Sequence, residues 1–350
     1  MGHRIVSRGI PFIAAVLLPL MAFAQQQPTQ QQPQGRGQPP AQPAAAGTAQ
    51  KPAEQKPAEQ KPGEQKPAEP KPGQKPGEQK PAEQKPPVNT KFVTAKDGTK
   101  IAYEVSGSGP AIMLLHGAGQ TRQEWQRTDY VKRLSPQFTV ITVDWRGNGE
   151  SDKPTKVEAY AIDRLTEDLL AVADAAGAQR FHVWGFAYGA VVGRYLAARS
   201  DRVRAMVYIG MPMGPAASGA YKDAITGFRA RWQPVIAAQE AGKLDRSTLS
   251  PGDYEALTKG GIKLAVAWQS ALIDYPAMEP AEFKVPTLWV VATGDADAMA
   301  SVKAYEGKLK NTKVTLALID GPSHSETLQR IDLMFDKLVE FTKKAETGSN

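Results

Sequence analysis

The chain has 350 residues, of which 43 are Lys or Arg and 36 are Asp or Glu, so its net charge is +7 at neutral pH. It contains no cysteine, which excludes disulfides, Cys-based metal sites and lipid attachment through a cysteine. The excess of basic residues is diffuse and does not cluster with interleaved aromatics, so the sequence predicts no nucleic-acid partner.

Residues 1–24 have the pattern of a secretory signal peptide. Arg4 and Arg8 give a positive start, an apolar stretch runs from Ile10 to Leu20, and Ala22-Phe23-Ala24 offers a cleavage site. The apolar stretch is shorter than the ~20 residues that span a bilayer, which favours a cleaved signal over an anchor. We therefore expect cleavage after Ala24 and a periplasmic or secreted location.

Residues 25–90 differ sharply in composition from the rest of the chain. They are rich in Gln and Pro and then repeat units such as Lys51-Pro52-Ala53-Glu54-Gln55. Few apolar residues are present to bury, and frequent Pro stops helix propagation. The pattern predicts a disordered, polyproline-like tether. Two interpretations stay open: a spacer that contacts the cell envelope, or an inert tail.

The remainder, residues 91–345, is long enough for one domain with a substantial core. Residues 91–95 and 99–106 alternate apolar and polar side chains around Asp97-Gly98, which predicts an antiparallel hairpin. Further strands are predicted at 111–115, 138–143, 181–184, 203–209, 287–292 and 313–319. Helical periodicity predicts helices at 162–176, 188–199, 301–309 and 327–343. The alternation indicates an α/β fold with a doubly wound, mostly parallel sheet.

Residues 211–283 interrupt this alternation with several short helical patterns separated by Gly and Pro. An insertion at this point covers the carboxyl edge of the sheet, where open α/β folds bind ligands, so we predict a small helical cap. The aromatic residues of the cap are Trp232, Tyr254, Trp268 and Tyr275. Each either lines an apolar ligand pocket or belongs to the core, and the sequence does not decide which of them line a pocket.

The predicted strand at 181–184 runs directly into a turn and then a helix. Gly185 and Gly189 lie two residues either side of the centre, where the helix packs too close to the strand for a larger side chain. This is the outline of a nucleophile elbow, a sharp turn that raises a catalytic side chain above the sheet. The central residue is Ala187, whose methyl group cannot attack a carbonyl.

Four further blocks occur in chain order: H-G-A-G at 116–119, D-W-R-G-N-G-E-S-D-K-P at 144–154, G-D-A-D at 294–297 and G-P-S-H at 321–324. Together with the elbow they resemble the α/β-hydrolase fold family, in its esterase, haloperoxidase and epoxide-hydrolase branches, over residues 91–345. The resemblance implies hydrolysis of small ester, amide or related carbonyl substrates. The sequence shows no metal cluster, phosphate loop or dinucleotide fingerprint, so we expect no cofactor and no metal.

His324 is the predicted general base, because among four histidines it is the one left in a loop beyond a strand's carboxyl end. Asp297 is predicted to hold its imidazole, with Asp295 and Asp320 as rivals.

The resemblance also assigns main-chain roles. The backbone N–H groups of Ala118 and Tyr188 would form an oxyanion hole. Structural or site-shaping roles fall to other residues of the motifs, namely His116, Gly117, Asp144, Arg146, Gly185 and Gly189.

Four explanations of Ala187 stay open. In the first, the nucleophile has been lost and the chain is a silent pseudo-hydrolase that binds an apolar small molecule or a partner. In the second, catalysis follows another route, in which His324 activates water or abstracts a proton. Alternatively the nucleophile is displaced to Ser151, Ser323 or Ser325, or a Ser-to-Ala change has been introduced. An elbow centre has φ above zero, which costs a non-glycine residue of order 1 kcal/mol. Glycine would relieve that strain, so the retained alanine hints that the shape of the pocket matters.

Overall fold

The protein is described by a computed structural model over residues 89–348. The predicted signal at 1–24 and nearly all of the predicted tether at 25–90 lie outside these residues. Within them, eight strands form one sheet: β1 Lys91–Thr94, β2 Lys100–Ser106, β3 Ala111–Leu115, β4 Thr139–Asp144, β5 Phe181–Phe186, β6 Val203–Ile209, β7 Thr287–Ala292 and β8 Val314–Ile319.

The strand order is β1-β2-β4-β3-β5-β6-β7-β8. β1 and β2 pair antiparallel around the Asp97-Gly98 turn, β2 pairs antiparallel with β4, and every other pair is parallel. All residues of β3 and β5 are buried, as expected for strands covered by helices on both faces. The predicted hairpin and the mostly parallel sheet are confirmed.

Ten α-helices lie in the described residues: α1 Gln123–Arg127, α2 Tyr130–Leu134, α3 Ile162–Ala175, α4 Tyr188–Arg199, α5 Gly219–Glu240, α6 Pro251–Thr258, α7 Gly261–Ile273, α8 Ala296–Tyr305, α9 His324–Thr327 and α10 Phe335–Thr347. The helices predicted at 162–176 and 188–199 are confirmed. α1 and α2 have five residues each, which is too short for a helical period to stand out.

Two predicted helix boundaries are wrong. α8 begins at Ala296 rather than Ser301, because the Asp295 side chain caps it by accepting a hydrogen bond from Ala298 N at 3.1 Å. The helix predicted at 327–343 begins only at Phe335, as α10, and a 3₁₀ turn at Ile331–Leu333 separates it from α9, which ends at Thr327. Apolar spacing continues across that turn, so periodicity alone did not reveal the break.

The predicted cap at 211–283 contains α5, α6 and α7, and it lies between β6 and β7. Its two stems meet at Gly214 and Met278, whose backbones exchange two hydrogen bonds of 3.1 Å. None of the helices in residues 89–348 is both long and apolar enough to cross a membrane.

Candidate active site

Ala187 occupies the single-residue turn between β5 and α4. Its backbone has φ 50° and ψ −122°, a region that L-residues rarely adopt, and its side chain is nearly buried, with 4% of the residue exposed. Its N–H donates to Ile209 O at 3.0 Å, which ties the turn to the end of β6. The strand–turn–helix predicted from the sequence is therefore present, and its centre is strained.

The two glycines that flank the turn are required by close packing. A Cβ on Gly185 would lie 2.5 Å from Ala190 Cα, and one on Gly189 would lie 2.3 Å from Leu115 O. Both distances are shorter than a van der Waals contact with backbone, so neither position accepts a side chain. The sequence-based reason for both glycines agrees with this packing.

His324 lies at the start of α9 with 22% of its side chain exposed. Its Nδ1 donates to Asp295 Oδ2 at 2.7 Å, and its ring stacks on Phe186 with centroids 5.3 Å apart. Phe186 directly precedes Ala187, so the imidazole lies beside the elbow. The structure thus brings His324 and the elbow together, as predicted.

The choice of Asp297 as the acid is wrong, because Asp295 is the residue that contacts His324. Asp295 is three residues beyond β7 and is 6% exposed, whereas Asp297 lies in the first turn of α8 and is exposed to solvent. The rival Asp320 accepts from Thr293 Oγ1 at 2.9 Å instead. The sequence did contain a signal for Asp295. Because Asp295 caps α8, it lies closer to the end of β7 than Asp297, which lies inside the helix.

The main-chain donors predicted for an oxyanion hole belong to the two chain segments that meet at Ala187. Tyr188 is the first residue of α4, so its N–H has no acceptor within that helix. Ala118 follows Gly117 in the half-buried loop after β3. A Cβ on Gly117 would lie 3.2 Å from Ala187 Cβ, which places this loop directly against the elbow.

His116 and Asp144 are structural. The His116 ring is fully buried, donates from Nδ1 to Gly117 O at 2.8 Å, and stacks on Trp145 with centroids 5.7 Å apart. Burial lowers the pKa of the His116 imidazole below its ordinary value. The Asp144 carboxylate accepts from Arg122 N at 2.6 Å and from the Arg122 guanidinium. Arg122, which no sequence pattern singled out, fixes this loop.

Arg146 is also structural, as the sequence suggested. Its buried guanidinium makes a two-point pair with Asp168, with both N···O distances 2.7 Å, and bonds Asp97 at 2.7 Å. It therefore connects the loop after β4 to α3 and to the β1–β2 turn. A bidentate arginine–carboxylate pair fixes both partners in direction as well as in distance.

The three displaced-nucleophile candidates have other roles or surroundings. Ser151 is buried, and its Oγ donates to Asp144 O and accepts from Ala102 N at 2.8 Å. Ser323 Oγ donates to Glu326 Oε2 at 2.7 Å in a capping box at the start of α9. Ser325 is exposed, and its Oγ lies 3.3 Å from Ser323 Oγ. Within residues 89–348 none of the three is hydrogen-bonded to His324.

Two of the four cap aromatics contact the elbow. Trp268 packs edge-on against Tyr188 with centroids 5.3 Å apart, and the Tyr275 hydroxyl lies 3.0 Å from the Tyr188 hydroxyl. Tyr275 donates onward to Tyr160 O at 2.6 Å. Trp232 instead packs inside the cap, and Tyr254 lies under Arg246. The cap therefore places aromatic surface directly above the residue that follows Ala187.

Residues 89–348 hold no group of three or more acidic or imidazole side chains arranged to bind a metal ion. Polar groups near the elbow include the His324 imidazole and the Gln120 amide. Such a set suits proton transfer and hydrogen bonding to a neutral or anionic oxygen.

Comparison with known proteins agrees with this geometry. The sequence profile described as the alpha/beta hydrolase fold matches residues 110–239. A bifunctional epoxide hydrolase 2 of Rattus norvegicus is 30% identical over 132 residues, which are 37% of this chain and 23% of that protein. The chain therefore matches less than a quarter of that relative's length.

Solved structures match more of the chain at lower identity. A thermophilic esterase from Thermogutta terrifontis is 18% identical and superposes with a TM-score of 0.56, over 74% of this chain and 99% of that one. The bottromycin epimerase BotH is 23% identical with a TM-score of 0.53, over 74% of this chain and 96% of that one. These likenesses concern the fold.

A mostly parallel eight-stranded sheet, a strained strand-to-helix turn and an inserted helical cap define an α/β-hydrolase-like protein. With the profile that matches residues 110–239 and the superposable structures, this architecture shows that the chain has the α/β-hydrolase fold.

Proposed function

We propose that this protein hydrolyses small ester, amide or related carbonyl compounds by general-base catalysis, with His324 activating water and no acyl-enzyme forming. The observation that carries the proposal is the 2.7 Å hydrogen bond from His324 Nδ1 to Asp295, made beside an elbow whose centre is alanine. An imidazole paired with a carboxylate, next to a methyl group at the nucleophile position, is the arrangement that supports this route.

The proposed step uses the free nitrogen of the imidazole. With Nδ1 donating to Asp295, Nε2 carries a lone pair and accepts a proton from a water molecule. The water oxygen bonds to the carbonyl carbon, and the carbonyl π electrons move to its oxygen, which the proposed Ala118 and Tyr188 N–H groups stabilise. Collapse expels the alkoxide or amine, which takes the proton back from His324.

The rate expected for this route is low. Removing the nucleophile of a serine hydrolase leaves roughly 10³-fold acceleration over water, supplied by the oxyanion hole and by binding. The aromatic surroundings of the elbow favour a substrate with an apolar part, since Trp145, Tyr188 and Trp268 pack together there. The relatives include an esterase and an epoxide hydrolase, which supports a hydrolytic reaction.

Proton abstraction without hydrolysis is a variant of the same base chemistry. The epimerase among the structural neighbours is compatible with it, although at 23% identity that likeness concerns the fold. In that variant His324 Nε2 removes a proton from carbon next to a carbonyl, and the resulting enolate oxygen takes the place of the oxyanion.

A second candidate function is a silent pseudo-hydrolase that binds an apolar small molecule or a partner. It is favoured by the closed surroundings of Ala187, which is 4% exposed. A binding protein needs the cap and the apolar surroundings of the elbow but not a general base. Replacement of His324 would then leave ligand affinity nearly unchanged.

The deciding experiment compares the parent protein, Ala187→Ser and His324→Ala on p-nitrophenyl esters of short and medium acyl chains. Turnover by the parent that His324→Ala abolishes supports base catalysis. If the parent is inactive and only Ala187→Ser hydrolyses the esters, the active-site scaffold is intact but no longer used for hydrolysis. That result would favour the binding function.

Export remains part of the proposal. The predicted signal at 1–24 and the Pro-rich segment at 25–90 support a periplasmic or secreted protein with a tether that contacts the cell envelope. Cell fractionation of the full chain and of a chain lacking residues 25–87 tests this. The shortened chain should change its association with the envelope while keeping its ligand binding.

A further inference from the structure

Gln120 lies in the loop after β3, one residue beyond the H-G-A-G block, and takes no part in the hydrolytic step proposed for His324. Its Oε1 accepts a hydrogen bond from Gly117 N at 2.8 Å. Because a backbone N–H is always a donor, the side-chain atom that faces it must be the oxygen, which fixes the orientation of the amide. The Gln120 NH₂ group therefore faces away from Gly117.

This amide lies against the elbow. A Cβ built on Gly117 would be 2.9 Å from Gln120 Oε1, 3.2 Å from Ala187 Cβ and 3.4 Å from Phe186 Cδ1. The Gln120 oxygen, the Ala187 methyl and the Phe186 ring thus converge on one point. Gln120 is half-buried, and its Nε2 makes no hydrogen bond with any residue in 89–348.

We infer that Gln120 is a substrate-contacting residue whose Nε2 donates to the carbonyl oxygen of the compound held above Ala187. The inference rests on the proposed function, because it assigns a third donor to the same developing oxyanion. A neutral amide donor selects a carbonyl, ester or carboxylate oxygen and offers nothing to a cation. Side-chain amides are among the groups that stabilise oxyanions in other enzymes.

The absence of a nucleophile explains why an additional hydrogen-bond donor would be needed here. Water is a poorer nucleophile than an activated serine, so the carbonyl must be more strongly polarised before attack. Gly117 N–H is already occupied by Gln120 Oε1, so the loop does not present that N–H to a ligand.

The alternative is that Gln120 merely holds the loop by accepting the Gly117 N–H. Gln120→Glu separates the two roles, since the carboxylate keeps an acceptor for Gly117 N–H while removing the donors. Gln120→Leu removes both. Gln179→Glu is the matched control, because it makes the same charge change at an exposed position before β5.

The experiment measures kcat and KM on p-nitrophenyl acetate and butyrate for these variants, in the parent and in the Ala187→Ser background. We expect Gln120→Glu and Gln120→Leu each to lower kcat about 10²- to 10³-fold, the loss seen when one oxyanion donor is removed. Rates are compared on the plateau of each variant's pH–rate profile. Gln179→Glu should stay within about two-fold.

Activity of Gln120→Glu close to the parent's, with or without loss in Gln120→Leu, would overturn the inference. The parent could be inactive while Ala187→Ser is active and loses activity when Gln120→Glu is added. That result would contradict base catalysis but support the role of Gln120. If neither background turns over, ester binding is followed by quenching of Trp145 and Trp268 fluorescence. Equal affinity in the parent and Gln120→Glu, or no binding at all, would then contradict the inference.

Discussion

Asp295 holds His324 through one carboxylate oxygen while the other caps α8. Oδ2 accepts from His324 Nδ1 at 2.7 Å, and Oδ1 accepts from Ala298 N at 3.1 Å. The helix end thereby fixes the acid, and the acid fixes the imidazole. The orientation of the imidazole beside the elbow therefore depends on where α8 begins.

Asp295→Asn should abolish most His324-dependent turnover without unfolding the protein. Asn is as good a helix cap as Asp, so α8 keeps its start. An amide can offer a donor to Nδ1, which moves the imidazole proton to Nε2 and leaves no base; in a serine protease the equivalent change costs about 10⁴-fold in kcat. We expect a loss of about 10²- to 10⁴-fold in ester hydrolysis by the parent or, if it is silent, by Ala187→Ser.

Asp297→Asn is the control for that prediction. Asp297 is exposed in the first turn of α8 and makes no contact with His324 in residues 89–348. Its replacement should leave turnover within about two-fold. Equal losses from the two variants would contradict the assignment of Asp295.

The sequence was sufficient for the sheet, the elbow and the position of His324, because each depends on local patterns. Buried strands read as apolar runs, and Gly185 and Gly189 mark a backbone approach that no other residue allows. The acid was missed because Asp295 and Asp297 are two residues apart in one motif, and which of them reaches His324 depends on where α8 begins. Gln120 and Arg122 were missed because their partners, Gly117 and Asp144, are identified by three-dimensional packing.

Ala187→Gly should alter stability much less than an ordinary alanine-to-glycine change. At φ 50° the alanine is strained by of order 1 kcal/mol, which glycine relieves. Glycine also makes the unfolded chain more flexible, which costs about 0.4–1 kcal/mol, so the two effects nearly cancel.

Ala197→Gly is the matched comparison, because Ala197 has the same 4% exposure but lies within α4. There glycine relieves nothing and should cost about 1 kcal/mol. Both free energies of unfolding are measured by urea titration. Equal losses at the two positions would mean that the elbow is not strained in solution.

The two stems of the cap are fastened by one buried arginine and two tyrosines. Arg194 Nη1 donates to the Tyr208 hydroxyl at 3.3 Å and Nη2 to the Tyr195 hydroxyl at 3.1 Å. Tyr208 in turn donates to Pro212 O at 2.7 Å, and Tyr195 donates to Pro276 O. One cluster therefore holds the backbone where the cap begins and where it ends.

Tyr208→Phe and Tyr195→Phe should each destabilise the protein by about 1–3 kcal/mol, because a proline carbonyl and a donor of the buried Arg194 lose their partner. The cap should also open more often, which limited proteolysis of the 241–250 connection would detect as faster cleavage. Tyr254→Phe, in the cap but with no hydroxyl hydrogen bond in residues 89–348, should change stability by less than about 0.5 kcal/mol. Unchanged stability and unchanged cleavage in both Tyr208→Phe and Tyr195→Phe would show that these hydroxyls do not hold the cap in place.

Stability should fall as pH decreases below neutrality, and His182 should account for part of the fall. His182 is buried at the start of β5, and burial lowers the pKa of its imidazole below the ordinary value of 6.5, although its 2.9 Å contact with Glu346 opposes the shift. Below pH 6.5 the unfolded chain takes up a proton that the folded chain does not, so stability is present above 6.5 and is lost as pH falls toward the folded pKa. The slope from one such group is at most about 1.4 kcal/mol per pH unit.

His182→Gln keeps a donor for Glu346 but cannot titrate, so urea unfolding at about pH 7.5, 6.5 and 5.5 should show a shallower fall in the variant. Parallel curves for the two proteins would show that His182 does not sense pH, and the acid sensitivity would then belong to other groups, such as the buried His116.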